Sequence, residues 1–188
     1  MSFLRYLPMT QLVIVLVAAI LAALLAATPA MVAHDRGRAV GSAAQVLLLG
    51  SVVAIFVLTL LPTSQSGFGV NLVPLRVIAG QLQNVNGPLG AINIAGNAAM
   101  FAPAGLLAAF AFGWGVRRVS AVALALSVTI ELLQLASGRN ADVDDVILNT
   151  AGAAVGALVF LLAARFRQQR RARRAVLEEP PVRTGTAT

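Results

Sequence analysis

Four of the chain's seven acidic residues fall within 26 positions, 131–156, between two long apolar runs. Glu131, Asp142, Asp144 and Asp145 are accompanied there by Gln134, Arg139 and Asn149, and an earlier apolar run, 91–112, carries two more amides, Asn93 and Asn97. Ionisable groups at the rim of a bilayer are costly to keep and usually have a partner or a task. Carboxylates in this number suit a cationic ligand, or a hard cation such as Mg or Ca, which takes oxygen ligands. Glu131, Asp142, Asp144 and Asp145 are therefore the candidate metal ligands, and a metal among them would polarise a phosphate. Other chemistry is excluded. The chain has no cysteine and one histidine, His34, which removes disulfides, iron–sulfur clusters, thiolate sites and multi-histidine zinc. No activated serine or threonine stands out, so a nucleophile would have to be water or a carboxylate.

Plainer roles compete for the same residues. Asparagine and glutamine often only join membrane helices, contributing about 0.6–2 kcal/mol each. Arg139 can cap the helix before it and neutralise Glu131. Asp144 or Asp145 can cap the helix after it. Those roles leave Asp142 and one of the adjacent aspartates over, and a surplus of negative charge favours a cationic ligand.

The elements that must position these groups are membrane helices. Of 188 residues 59% are hydrophobic and 11% charged, with a mean hydropathy of +0.85, which is too little charge to coat a soluble domain. Net charge is +7, and all fourteen cations are arginine. Half of them lie in 165–183, which points to a membrane surface and away from nucleic acid. Apolar runs at 7–27, 43–61, 91–112, 119–136 and 146–164 are each long enough to cross a bilayer. The first also has features of a cleaved signal peptide, with Arg5 before it and small residues near Ala30 and Ala33.

The connections are less regular. Residues 34–38 read as a polar loop and 62–89 as the one long connection, with an amphipathic interfacial helix over 75–85. Pro103 predicts a kink, and Trp114 an interfacial anchor beside Arg117 and Arg118. Five crossings put the termini on opposite sides. With the carboxyl end inside, eleven arginines lie inside and three outside, so the positive-inside rule selects amino end out, carboxyl end in. Cleaving the first helix would force the arginine tail outward, which argues against a signal peptide.

The expected fold is thus an all-α, polytopic membrane helix bundle of five transmembrane helices. Residues 1–61 supply two helices, 62–90 an extracytoplasmic loop, 91–164 a three-helix core, and 165–188 a basic cytoplasmic tail, helical at first and disordered from Glu178. Spacing aims the polar groups inward. Ser127, Glu131 and Gln134 share one helix face, as do Asp145, Asn149, Gly152 and Gly156, and as do Asn93 and Asn97. The glycines at 152 and 156 would let a neighbouring backbone approach closely.

Three segments in this order carry a resemblance to a known family. Asn97-x-x-x-Phe101-x-Pro103-x-Gly105, Glu131-x-x-Gln134, and Arg139-x-x-Asp142-x-Asp144-Asp145-x-x-x-Asn149-Thr150-x-Gly152-x-x-x-Gly156 closely resemble the VanZ-like family, with Asn71-Leu72-Val73-Pro74 ahead of them. The resemblance runs from about residue 60 to 160; the first helix and the tail lie outside it. It implies a bacterial integral membrane protein, of a family whose founding member is associated with teicoplanin resistance, and it assigns no reaction.

The expected function follows from both readings. It is a multi-pass protein of the bacterial cytoplasmic membrane whose outward-facing polar pocket binds a lipid headgroup, a lipid-linked wall precursor or a glycopeptide, without catalysis. The candidate binding residues are Asn93, Asn97, Glu131, Gln134, Arg139, Asp142, Asp144, Asp145 and Asn149. A metal-assisted enzyme acting on a lipid-linked phosphate and a purely structural subunit are the alternatives.

Overall fold

The computed structural model describes residues 36–60, 69–83 and 88–178. The expected first helix at 7–27, His34 and the stretch after Glu178 lie outside the described residues. Within them run helix α1 (Arg36–Leu60), strand β1 (Val70–Asn71), helix α2 (Arg76–Gln83), helix α3 (Pro88–Phe112), helix α4 (Val116–Ala136), strand β2 (Ala141–Asp142) and helix α5 (Val143–Glu178). Four of these helices are long and apolar enough to cross a membrane. The chain is a multi-pass membrane protein of the all-α class, with one two-residue strand pair among the described residues.

At its carboxyl end α5 outruns its apolar run because arginine, glutamine and alanine, good helix formers, continue the hydrogen-bond ladder. α1 takes in Arg36 and Arg38, which the sequence suggested as part of a loop. α3 starts at Pro88, a favoured residue for a first turn, whose amide has no partner to lose there. It runs as one helix past Pro103. Gly113, at φ 64°, turns the chain into α4, where Trp114 stacks near Phe112 and lies under the Arg118 guanidinium at 4.7 Å.

Lipid tails are as apolar as leucine, so hydrophobicity alone does not press membrane helices together; close packing of small residues does. α3 and α5 meet in that way. A Cβ on Gly152 would fall on the Ala98 carbonyl, one on Gly156 on the Ala102 carbonyl, and one on Gly105 on the Ala153 carbonyl. The glycine stripe of α5 therefore seats against α3, with Ala98, Ala102 and Gly105 forming the facing stripe. Around this contact the core is filled by Phe101, Ile55, Ala109, Ile130 and Ala157, all nearly fully buried. Leu47, Leu58, Leu132, Val155 and Leu158 are exposed on the outside, where lipid would cover them.

Leucine in place of Gly152 should break this seat. The variant is expected to lose about 1–3 kcal/mol of stability, the usual cost of overpacking, read as a lower melting temperature of the detergent-purified chain. Leucine at Gly50, where an added Cβ meets nothing within 4 Å, should change melting by less than about 0.5 kcal/mol.

Candidate functional site

α4 ends in a glycine turn that aims the next residues back across the bundle. Gly138 adopts φ 82°, its amide bonds the Leu135 carbonyl at 3.0 Å, and the Arg139 amide bonds the Gln134 carbonyl at 3.0 Å. These are the paired bonds of a Schellman cap. The chain then extends through β2, which lies parallel to β1 with Val70 opposite Ala141 and Asn71 opposite Asp142. The long connection after α1 is thereby stitched to the turn between α4 and α5. The Ala141 amide donates to the Gly69 carbonyl at 3.0 Å, and the Asn71 side-chain amide donates to Asp142 Oδ1 at 2.9 Å. A two-residue strand leaves no alternation to read in a sequence, and this pairing is not foreseen there.

The carboxylates take up different duties from those expected. Asp142 is the N-cap of α5: its Oδ1 accepts the Asp144 amide at 2.9 Å, two residues on. Asp144 does not cap its own helix. Its two oxygens accept the amides of Leu75, of Val77 at 2.7 Å and of Ile78 at 3.0 Å, so it caps α2 from across the fold and is only 1% exposed. Leu75 sits at φ 64° to present its amide. Glu131 Oε2 accepts the Asp142 amide at 2.7 Å. Arg139 has a partner that the sequence does not suggest. Its guanidinium donates to the Thr59 carbonyl at 2.6 Å, where Gln134 Nε2 donates as well at 2.9 Å. Both therefore serve the carboxyl end of α1, whose exposed carbonyls favour a cation. Thr59 is a site member the sequence gave no reason to choose.

Two rungs complete the cluster. Asn97 on α3 donates its side-chain amide to Asp145 on α5. One turn deeper, buried Asn149 on α5 donates to buried Ser127 on α4 at 2.9 Å. Asn149 Oδ1 and Thr150 Oγ1 are buried with no hydrogen-bond partner among the described residues. Eight of the nine candidate residues are thus gathered at one end of the bundle. Asn93 is apart: it is exposed and makes no side-chain hydrogen bond among the described residues. The helix expected over 75–85 is present as α2. It packs against α3, where Gly90 lies against the Gln81 carbonyl, and it leaves Leu72, Val73, Leu75 and Leu82 exposed around it.

A divalent metal is poorly served here. Mg and Ca take six or more oxygens, yet Asp144 has both of its own filled by amides. Among the described residues no three acidic groups converge as ligands. The arrangement suits hydrogen bonding and charge pairing instead.

A family model described as VanZ/LLP1 matches residues 48–164. The chain belongs to the VanZ/LLP1 family. The matched region holds every candidate residue, and it begins within α1, so Thr59 falls inside it as well. It stops at Ala164, short of the arginine-rich end of α5. No curated protein and no solved structure matches the chain.

Alanine at Asp144 should release α2. Three amides would lose their acceptor, each loss costing about 1–3 kcal/mol when the group stays buried. Hydrogen exchange should speed up at Leu75, Val77 and Ile78 while the amides of α4 stay protected. Unchanged exchange at these three positions would contradict the cross-fold cap.

Proposed function

We propose that this VanZ-family chain is a multi-pass protein of the bacterial cell envelope whose polar end faces outward and binds a ligand there. The ligand class is a lipid headgroup, a lipid-linked wall precursor or a glycopeptide. A role in glycopeptide resistance would follow from the last two. One observation carries the reading. Once the caps and turns have taken their share, Glu131 and Asp145 each keep a carboxylate oxygen that accepts no hydrogen bond from the described residues, and neither oxygen is sealed from the surface. Side chains placed inside membrane helices with unused hydrogen-bonding capacity mark sites of function. The outward orientation rests on the arginine count, which favours the arginine-rich end of α5 in the cytoplasm.

A structural reading draws support from the other polar residues. Asp142, Asp144, Gln134 and Arg139 all spend hydrogen bonds on backbone groups of other segments or of their own helix end. On that reading the polar end is a latch and no more.

Asp145→Asn separates the two. If the end binds a ligand, wild-type protein should be stabilised by at least one member of a panel of envelope lipids, wall-precursor analogues and teicoplanin. The shift should grow with concentration, reaching about 2.7 kcal/mol at a hundred times the dissociation constant. The variant should melt as wild type does without ligand and lose the shift. A variant that melts early with or without ligand, or a panel without any shift in wild type, would favour the latch.

A further inference from the structure

α5 does not end where the family match does. It continues unbroken to Glu178, and Arg165, Arg167, Arg170, Arg171, Arg173 and Arg174 are all exposed along it. Arg167, Arg170, Arg171 and Arg174 stand at i, i+3, i+4 and i+7, so four guanidiniums share one face of a helix. Like charges at these spacings destabilise a helix. No acidic residue occurs between Asp145 and Glu178 to offset them. An anion from outside the chain is the natural complement.

The direction of the helix selects which anion. Counted from Asp145, about 20 residues cross the hydrocarbon and bring α5 out near Arg165. At about 1.5 Å per residue, the stripe then lies about 5–15 Å beyond Ala164, beside a headgroup layer about 5–8 Å deep. Side chains on a helix lean toward its amino terminus, and for α5 that direction is back toward the bilayer. Long arginine stems can thus return their charged heads to the level of the phosphates. A soluble polyanion approaching from the water would meet side chains leaning away from it. Phe166, 61% exposed, sits at the same level as an apolar anchor.

We propose that the arginine stripe of α5 binds anionic phospholipid headgroups in the leaflet at its carboxyl end. The site is independent of the polar end and lies outside the region the family shares. It works as a comb of guanidiniums at the headgroup layer, each able to hold a phosphate through paired N–H donors. Attraction of this kind fades beyond a Debye length of about 8 Å at physiological salt, so the distal arginines act only while the helix stays rigid and close.

The test uses the full chain in vesicles of phosphatidylcholine carrying spin-labelled phosphatidylglycerol or spin-labelled phosphatidylcholine. Wild type should immobilise phosphatidylglycerol several-fold more strongly at low salt, with the preference falling toward equality at high salt. Replacing Arg167, Arg170, Arg171 and Arg174 by Gln should bring it near equality at low salt, and replacing the same four by Lys should retain most of it. If the fourfold Gln variant fails to fold, Arg170→Gln with Arg174→Gln should give an intermediate preference. A preference untouched by either Gln variant, or absent from wild type, overturns the proposal. So does capture of an RNA oligonucleotide by the reconstituted protein without any lipid preference.

Discussion

The buried carboxylate of Asp144 sets the terms for the polar end of this bundle. It lies at the start of one membrane helix and accepts amides from residues 66 to 69 positions earlier. Burying a charge costs several kcal/mol unless it is well paired. Backbone amides at a helix start offer both hydrogen bonds and the positive end of the helix dipole, which suits an anion. The bond works in two directions: α2 gains the acceptors its first turn lacks, and both Asp144 oxygens gain donors inside the protein. Everything nearby is arranged so that this meeting can occur. The glycine turn at Gly138 reverses the chain, β2 pairs with β1, and Asp142 starts α5 at the right level.

Beneath that end the bundle is held by a different force. α3 and α5 touch through glycine and alanine, with carbonyls packed where side chains would otherwise be. This contact fixes the relative height of the two helices, and with it the height of Asn97 against Asp145. Shape thus governs the middle of the bundle and hydrogen bonding its polar end. Glu131 and Asp145, each with a spare carboxylate oxygen, are held in place by the Asp142 amide and the Asn97 side chain.

Much of this was legible in the sequence, for reasons that can be named. The length of the apolar runs gave the four described spans, because a crossing helix needs about 20 apolar residues in a row. The Gly152 and Gly156 stripe announced a close helix contact, and the spacing of Ser127 with Glu131, and of Asp145 with Asn149, placed each pair on one face. What periodicity cannot carry is the partner. Nothing in the pattern says that Arg139 reaches α1, or that Asp144 caps a helix other than its own. Those choices depend on how the long connection folds over the polar end, and two-residue strands leave no repeat to detect. Asn93 shares a face with Asn97 but lies a turn nearer the helix start, exposed and without a side-chain hydrogen bond among the described residues.

The connection after α1 is fastened over the polar end, which we propose faces outward. The chain contains no native cysteine, so a cysteine pair at Val70 and Ala141, which face each other in the parallel strands, can be read against a clean background. Paired strand positions lie within the roughly 4.4–6.8 Å Cα separation that a disulfide spans. Treating intact bacterial cells with a membrane-impermeant thiol oxidant should join the two positions within one chain. A bond that forms only after the cells are opened would reverse the orientation, and one that never forms would undo the fastening itself.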